Sequence, residues 1–244
     1  MKLSIIIPAK NEASKIQKCI LEVYKQTSSF FEVIVINGGG AKLDTTALQK
    51  KFKNLTIITE PDLGVYDAMN KGILLAKGKW LYFMGVDDGF YNINVLKILR
   101  SYFNNENVKL LLGNIVYSFN EKDSVFVKKN NGLVKSTWQN KIWIKNCLPH
   151  QGMFYHHSIF NQNLYDISYK VLADYAFNLS LWKKKVPVVI IDEIVANCGT
   201  EGLSKQYNYS IYEEEIKLKT KASSRLFMPL FFILAMSKFI LKKI

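Results

Sequence analysis

The first 90 residues alternate short apolar runs with segments whose apolar residues recur every three or four positions. Runs of β-branched and aromatic residues indicate strands buried on both faces, and the longer period indicates amphipathic helices. Strands that alternate with helices form βαβ units, which require parallel pairing and right-handed crossovers. The predicted strands span residues 3–7, 31–36, 55–59 and 80–84, and the predicted helices span 16–24, 45–52 and 66–76. The sequence therefore predicts an α/β fold with a mostly parallel central sheet flanked by helices.

The pattern loosens after residue 88, and 244 residues suit one large domain with a modest appendage. The predicted elements here are a helix at 95–103, extended segments at 110–117 and 124–127, a helix at 172–182 and a strand at 186–195. We expect this half to form the site of a second substrate.

The chain carries 33 basic and 20 acidic residues, a formal net charge of +13. Such a charge predicts an anionic partner, which can be nucleic acid, a phosphorylated ligand or acidic lipid. The basic residues are spread out and no nucleic-acid motif is found, so we predict no nucleic-acid partner. A hydrophobic content of 49% excludes disordered and collagen-like classes.

Cysteine usage and the N-terminus bear on the compartment. Cys19, Cys147 and Cys198 form no CxxC pair, which favours buried thiols in a reducing compartment. The apolar run at 3–8 is too short for a signal peptide. We therefore predict a cytoplasmic catalytic body.

Polar or glycine-rich segments follow three of the predicted strands, at residues 8–12, 37–40 and 85–89. Open α/β sheets bind ligands outside the carboxyl ends of their strands, so we expect these segments to share one crevice. The triple glycine at 38–40 allows close approach of a ligand or forms a plain loop. The first strand is not followed by GxGxxG, which argues against a dinucleotide site for hydride transfer.

Asp87 and Asp88 follow the fourth predicted strand directly. Adjacent carboxylates repel each other unless a cation or several donors lie beside them. Mg²⁺ or Mn²⁺ prefers carboxylate and phosphate oxygens, so a metal that also binds a diphosphate suits this pair. An exposed Asp-Asp-Gly turn is the alternative.

Taken in order, these motifs resemble the family 2 glycosyltransferases, which are inverting enzymes with a GT-A fold, especially bacterial members that build surface polysaccharide. The resemblance spans roughly residues 1–205. The segments that carry it are 4–12, 26–27, 33–40, 60–72, 85–88, 149–152, 172–175 and 202–204. It implies a GT-A-like catalytic domain at 1–205, with a nucleotide-sugar-binding half at 1–90 and an acceptor half at 91–205.

The resemblance also implies the donor site and the metal ligand. The implied donor-binding residues are Pro8, Ala9, Asn11, Glu12, Asn37, Gly38, Asp67, Lys71 and Asp87. Asp88 is the implied ligand of Mn²⁺ or Mg²⁺. Asp67 and Lys71 lie one helical turn apart, so a solvated ion pair is the alternative for them.

Two positions depart from the family pattern. Asn37 stands where the family usually has an aspartate that reads the base; its carbonyl can still accept from a uracil N–H, without the charge of a carboxylate. Val86 stands where polar residues are common, which removes a candidate metal ligand. A UDP-sugar remains the predicted donor, with metal affinity supplied mainly by the diphosphate.

The resemblance places the catalytic base and the acceptor loop in the second half of the chain. Asp174 matches the family's base, which removes a proton from the acceptor hydroxyl as it attacks the anomeric carbon. A helix N-cap is the alternative for this residue. His150 and Gln151 match a loop at the acceptor entrance, or bond within that loop.

The C-terminal segment at 206–244 is predicted to be helical and to associate with a membrane. Its apolar run at 226–236 is shorter than the ~20 residues that span a bilayer. Interfacial binding fits better, because lysines and an arginine flank the run. These residues are Lys217, Lys219, Lys221, Arg225, Lys238, Lys242 and Lys243. A helix packed on the body or in an oligomer interface is the alternative.

The combined prediction is a metal-dependent hexosyltransferase, peripheral on the inner face of the cell membrane. It would move a sugar from a nucleotide-diphosphate sugar to a lipid-linked or saccharide acceptor in cell-surface polysaccharide assembly. The alternatives are a sugar-phosphate nucleotidyltransferase and a basic nucleic-acid-binding protein without enzymatic activity.

Overall fold

The computed structural model describes residues 2–10, 13–39, 43–119, 129–200 and 209–243. The strands are β1 (Leu3–Ala9), β2 (Phe31–Asn37), β3 (Leu55–Thr59), β4 (Trp80–Phe83), β5 (Gly89–Phe90), β6 (Leu110–Tyr117), β7 (Leu133–Val134), β8 (Met153–His156) and β9 (Val188–Cys198). The α-helices are α1 (Ala13–Val23), α2 (Thr45–Lys51), α3 (Val65–Leu75), α4 (Val95–Leu99), α5 (Ala173–Lys183), α6 (Tyr209–Ala222) and α7 (Met228–Lys243).

All described strands belong to one sheet, in the order β3-β2-β1-β4-β8-β6-β9-β5, with β7 paired to β6. The four strands of the first half are parallel, which confirms the βαβ prediction there. β8 then runs antiparallel to both β4 and β6, while β6 and β9 are parallel. The sheet as a whole is therefore mixed, since the connections around β8 are loops and 3₁₀ turns that permit antiparallel neighbours.

Helices cover both faces of the sheet, which explains why β1 is buried along its whole length. Ile5 packs with Ile16 of α1 in one core cluster. Ile6, the next residue, faces the opposite side and packs with Ile73 of α3 in another. Successive side chains of a strand point to opposite faces, so an uninterrupted apolar run is what a doubly covered sheet requires.

Several predicted elements differ from those observed. The helix predicted at 95–103 is divided into α4 and a 3₁₀ turn at Tyr102–Asn104. The strand predicted at 186–195 is displaced to β9, because the chain turns at Lys185 with a φ of 52°. Cys147 is only partly buried, unlike the other two thiols. The extended segment predicted at 124–127 lies outside the described residues.

The C-terminal helices form a hairpin on the body. Leu218 of α6 is buried in the core that also contains α5 residues, and α7 folds back along α6. The contact between the two helices buries Tyr212, Ile216, Phe231 and Ala235. The alternative of a helix packed on the body thus holds for α6 and for one face of α7. No helix among the described residues has both the length and the apolar character needed to cross a bilayer.

Two lysines predicted to meet lipid are used inside this hairpin. Lys219 is 1% exposed and bonds the carboxylate of Glu215 and the carbonyl of Ile144. Burial lowers the pKa of Lys219 to about 8. Lys238 of α7 bonds the same carboxylate and the same carbonyl. Both ammonium groups therefore link α6 and α7 to each other and to the body. These partners offset the cost of burying a charged group, which would otherwise be strongly unfavourable.

Candidate active site

The carboxyl ends of β1 and β2 bring four predicted donor-site residues together. Ala9 is in register with Asn37, and the backbone N–H of Gly38 donates to Ala9 O at 2.7 Å. Pro8 precedes Ala9 in the same buried strand. Asn11 and Glu12, the other two predictions of this loop, lie outside the described residues. The predicted convergence on one edge of the sheet is present for the part of the loop that the structure describes.

Asn37 has an unusual environment for an amide. Its side chain is fully buried, and its Nδ2 lies 3.4 Å from Thr59 Oγ1. Its Oδ1 has no hydrogen-bond donor among the described residues. An unpaired buried carbonyl costs on the order of 1–3 kcal/mol, so a donor supplied by a ligand would be favourable here.

Gly38 is required by the close approach of Asp62, a residue that sequence reasoning did not select. A Cβ at Gly38 would lie 2.0 Å from Asp62 Oδ2. The other oxygen of Asp62 accepts from the N–H of Gly64 at 3.0 Å, which bends the segment before α3 over the end of β2. The sequence could have indicated Asp62, because this residue lies within the segment at 60–72 that carries the family resemblance.

Asp67 and Lys71 lie beside this segment and bond mainly to it. Lys71 Nζ is 3.1 Å from Glu60 Oε1 and 3.4 Å from Asp67 Oδ2, and it donates to Pro61 O. Asp67 Oδ2 also accepts from the N–H of Leu63 at 3.0 Å. In this arrangement the pair shapes the loop before α3, and any role in donor binding would act through that loop.

Asp88 is held by three hydrogen-bond donors, one from its own loop and two from distant parts of the chain. Its Oδ2 accepts from Gly85 N and from Gln151 Nε2, both at 3.0 Å, and its Oδ1 accepts from Gly199 N at 3.1 Å. Burial raises the pKa of the Asp88 carboxyl, while these hydrogen bonds act in the opposite direction. Gln151, predicted at the acceptor entrance, thus contacts the predicted metal ligand.

Asp87 is exposed and forms an ion pair with Lys15 at the start of α1, with an N–O distance of 3.1 Å. This pair links the loop after β4 to the helix after β1, and sequence reasoning did not select Lys15. To predict that Lys15 pairs with Asp87, one would have to know how α1 packs against the loop after β4.

The hydrogen bonds to Asp88 leave it able to bind a metal ion whose other ligands come mainly from the diphosphate of the sugar donor. Among the described residues no three His, Cys, Asp or Glu side chains gather into a metal cluster. Mg²⁺ and Mn²⁺ need only one or two carboxylates when a diphosphate completes the shell. An ionised carboxylate has about four acceptor positions, and three of them are taken in Asp88. One position therefore remains for a cation.

Asp174 is the second residue of α5 and is only 8% exposed. The N-cap of that helix is Leu172, so the alternative reading of Asp174 as an N-cap is wrong. Its Oδ1 lies 2.9 Å from the hydroxyl of Tyr66, which is also 2.6 Å from Val171 O. Burial, with a contribution from Asp174, raises the pKa of Tyr66 well above its usual value, so its single proton is shared between the two acceptors.

A chain of contacts connects the carboxylates of Asp88 and Asp174. Gln151 bonds Asp88, and the neighbouring His150 has its Nε2 3.1 Å from the hydroxyl of Tyr165. The ring of Tyr165 packs against that of Tyr66, which in turn contacts Asp174. The loop at 149–152 therefore lies between the predicted metal ligand and the predicted base.

The burial of His150 predicts that the free energy of unfolding depends on pH. Burial against Phe83 lowers the pKa of His150, so it stays neutral in the folded protein when the unfolded chain begins to protonate. His150 then does not reduce stability well above pH 6.5, and stability falls as the pH drops through about 6.5, by at most about 1 kcal/mol between pH 6.5 and 5.5. Urea unfolding of wild type and His150→Gln at both pH values measures this difference. Equal losses in the two proteins would contradict it.

Solved structures of two other proteins share this fold. TarS 1-349 of S. aureus in complex with UDP-GlcNAc superposes with a TM-score of 0.67 at 17% identity, over 98% of this chain and 81% of that one. The mannosyltransferase PcManGT of Pyrobaculum calidifontis, in complex with GDP-Man and Mn²⁺, superposes with a TM-score of 0.64 at 14% identity, over 97% of this chain and 73% of that one. At these identities the likeness establishes the GT-A-like fold alone.

Sequence comparison identifies the family. A PGL/p-HBAD biosynthesis glycosyltransferase of Mycobacterium bovis (strain BCG / Pasteur 1173P2) is 29% identical over 241 residues, which cover 95% of this chain and 88% of the relative. An uncharacterized glycosyltransferase of Haemophilus influenzae is 29% identical over 109 residues, 45% of this chain and 37% of the relative. The profile of glycosyl transferase family 2 matches residues 4–165. The chain therefore belongs to glycosyl transferase family 2.

Proposed function

We propose that this glycosyltransferase moves a sugar from a UDP-sugar to a hydroxyl of a lipid-linked or saccharide acceptor, with inversion at the anomeric carbon. The observation that carries the proposal is the pair of carboxylates, Asp88 and Asp174, connected by contacts through the loop at 149–152. One carboxylate would serve the donor and the other the acceptor. The M. bovis relative is named for PGL/p-HBAD biosynthesis and one structural neighbour is in complex with UDP-GlcNAc, and both support this assignment.

The donor would bind at the carboxyl ends of β1, β2 and β4. The unpaired Oδ1 of Asn37 can accept the N–H of a uracil ring. Gly38 follows Asn37 directly, and Asp62 packs against its α-carbon at the edge of this proposed site. Asp87 has the exposure needed to reach a ribose or sugar hydroxyl once Lys15 releases it. Pro8 and Ala9 would supply the wall of the base pocket, with Asn11 and Glu12 expected in the same loop.

The chemistry would need one base, because inversion is a single displacement. Asp174 removes the proton of the acceptor hydroxyl, and Tyr66 holds that carboxylate in place through Oδ1. Asp88 would hold Mn²⁺ or Mg²⁺ together with the diphosphate, and the cation supplies positive charge to the leaving group. His150, neutral because burial lowers its pKa, can accept or donate one hydrogen bond at the acceptor entrance.

The test is incubation of the purified protein with a panel of UDP- and GDP-sugars and lipid-linked or saccharide acceptors, with and without Mn²⁺. The proposal expects a glycosylated product and free UDP, and a product of inverted configuration by NMR. Formation of a UDP-sugar and pyrophosphate in a parallel incubation with UTP and a sugar 1-phosphate would instead indicate a nucleotidyltransferase. Transfer only from GDP-sugars would remove the assignment of Asn37 to uracil.

We also propose that the outer face of the C-terminal hairpin binds an anionic lipid surface on the cytoplasmic side of the membrane. Exposed apolar side chains concentrate there: Leu226, Phe227, Met228, Leu230, Phe232, Ile233 and Ile240. Exposed cations of the same region are Lys217, Lys221 and Arg225. The body adds Lys183, Lys184 and Lys185, and Lys183 contacts the carbonyl of Ala222 at the end of α6. Apolar residues with flanking cations suit an interfacial site.

The doubly substituted variant Leu226→Glu/Ile233→Glu tests the membrane site. These side chains are 88% and 61% exposed, so the fold should tolerate the change. We expect binding to vesicles of 30% phosphatidylserine to fall at least tenfold in a flotation assay, because two carboxylates would oppose an anionic surface. Leu74→Glu, at a 73% exposed position of α3, is the matched control. Unchanged flotation of the double variant would reject a lipid partner, and a self-associated wild type that the double substitution dissociates would indicate a second copy of the chain instead.

A further inference from the structure

Glu214 of α6 binds three successive backbone N–H groups at the entrance to α5. Its Oε1 accepts from Lys170 N at 2.5 Å, and its Oε2 accepts from Val171 N at 3.0 Å and Leu172 N at 2.9 Å. Leu172 is the N-cap of α5, and Asp174 is two residues further along. The carboxylate thus acts on the short segment from which the predicted base projects.

The local sequence explains why this segment needs an outside partner. The first N–H groups of a helix have no acceptor within the helix, and Leu172 cannot cap them with its side chain. Glu214 accepts from the N–H of the N-cap residue Leu172 and from the two N–H groups before it, so it fixes the segment that leads into the helix. Its negative charge also suits the positive end of the helix dipole. Hydrogen bonds to an ionised acceptor are shorter and stronger than neutral ones, so three of them define the backbone position well.

Tyr66 completes the clamp from the opposite side of the same peptide segment. Its hydroxyl contacts both Val171 O and Asp174 Oδ1. The N–H of Val171 is therefore held by α6 while its carbonyl is held by α3. Glu214 is held in turn, because the next residue of α6, Glu215, bonds lysines of α6 and α7. The position of Asp174 thus depends on the C-terminal hairpin.

We propose that Glu214 is a positioning residue for Asp174, which makes helix α6 a working part of the catalytic centre. This inference rests on the proposed role of Asp174 as the base. Glu214 touches no reacting atom; it sets the direction from which the Asp174 carboxylate meets the acceptor hydroxyl. A misplacement of about 1 Å in a reacting group can lower a rate by about 100-fold.

Glu214→Gln is the first test, because it preserves shape while one acceptor oxygen becomes an NH₂ that faces backbone N–H groups. We expect kcat to fall by about 10- to 100-fold, with calorimetric UDP binding and the donor KM within about twofold of wild type. Glu213→Gln, the same change at the exposed neighbouring position, is the control and should retain wild-type kcat. Glu214→Asp keeps the charge and should recover part of the lost rate.

The double variant Glu214→Gln/Asp174→Asn separates this inference from the assignment of the base. If Glu214 acts through Asp174, the double variant should be no slower than Asp174→Asn alone. A further loss of tenfold or more in the double variant would overturn the inference, as would an unchanged kcat in Glu214→Gln. Unfolding of both Glu214 variants, or loss of UDP binding, would show a structural role and overturn it too. An active Asp174→Asn enzyme would instead reject the base itself.

Discussion

Replacing Asp174 with asparagine is expected to lower the rate of sugar transfer by about 10²- to 10⁴-fold, the range in which a general base contributes. The amide has nearly the same shape and can still accept from Tyr66 through Oδ1, so the first turn of α5 should persist. It cannot take the proton of the acceptor hydroxyl. Donor binding should stay within about twofold of wild type, since the predicted donor residues lie at the ends of β1, β2 and β4 and not on α5.

The measurement is single-turnover transfer together with calorimetric binding of UDP. Asp166→Asn is the matched control: the same chemical change at a carboxylate whose ionic partner is Lys221 on the surface of α6. This control should transfer sugar at close to the wild-type rate. Normal turnover by the Asp174 variant would remove it as the base, and a parallel loss of UDP binding would point to a general effect on folding.

Replacing Asp88 with asparagine is expected to weaken Mn²⁺-dependent donor binding by tenfold or more. The carboxylate has one free acceptor position and its charge is the attraction for a cation, and asparagine removes the charge. The new NH₂ group must also face a donor, because both oxygens of Asp88 accept from N–H groups. A donor left facing a donor costs about 1–3 kcal/mol, so we expect a lower melting temperature as well.

Titration of a UDP-sugar with and without Mn²⁺ separates the two consequences for Asp88→Asn. Loss of the metal effect should greatly exceed any loss of metal-free binding. Asp166→Asn is again the control: it loses the surface ion pair with Lys221, and its melting temperature should change little because exposed ion pairs contribute about 1 kcal/mol or less. Equal stimulation by Mn²⁺ in wild type and Asp88→Asn would contradict the assignment of the metal ligand.

The first half of the fold could be predicted because its elements are local and regular. Leu3–Ala9 and Phe31–Asn37 are mostly apolar strands buried along their whole length, and the helix between them has a clear apolar face. The second half could not be predicted as well. The antiparallel insertion of Met153–His156 between β4 and β6 depends on which strands meet in space, and no period within four residues specifies its neighbours.

The candidate site also has features that could be predicted from the sequence and features that could not. The positions of Asn37 and Asp88 at the ends of buried strands followed from the order of strands and loops. Their partners did not: Asp88 is held by Gln151 and Gly199, which are 63 and 111 residues away in the chain. Lys219 was expected to meet lipid because a lysine in a basic segment is usually solvated, but the hairpin buries it against Glu215.

By itself the sequence determined the α/β class, the parallel strands of the first half and the residue types at their carboxyl ends, because hydrophobic period and strand order act over short distances. Only the tertiary structure decided that Tyr66 and Glu214 hold the segment before Asp174 from opposite sides. Hydrogen bonds between residues 40 or more positions apart depend on how helices pack against the sheet. That packing is a property of the whole chain, and no local pattern specifies it.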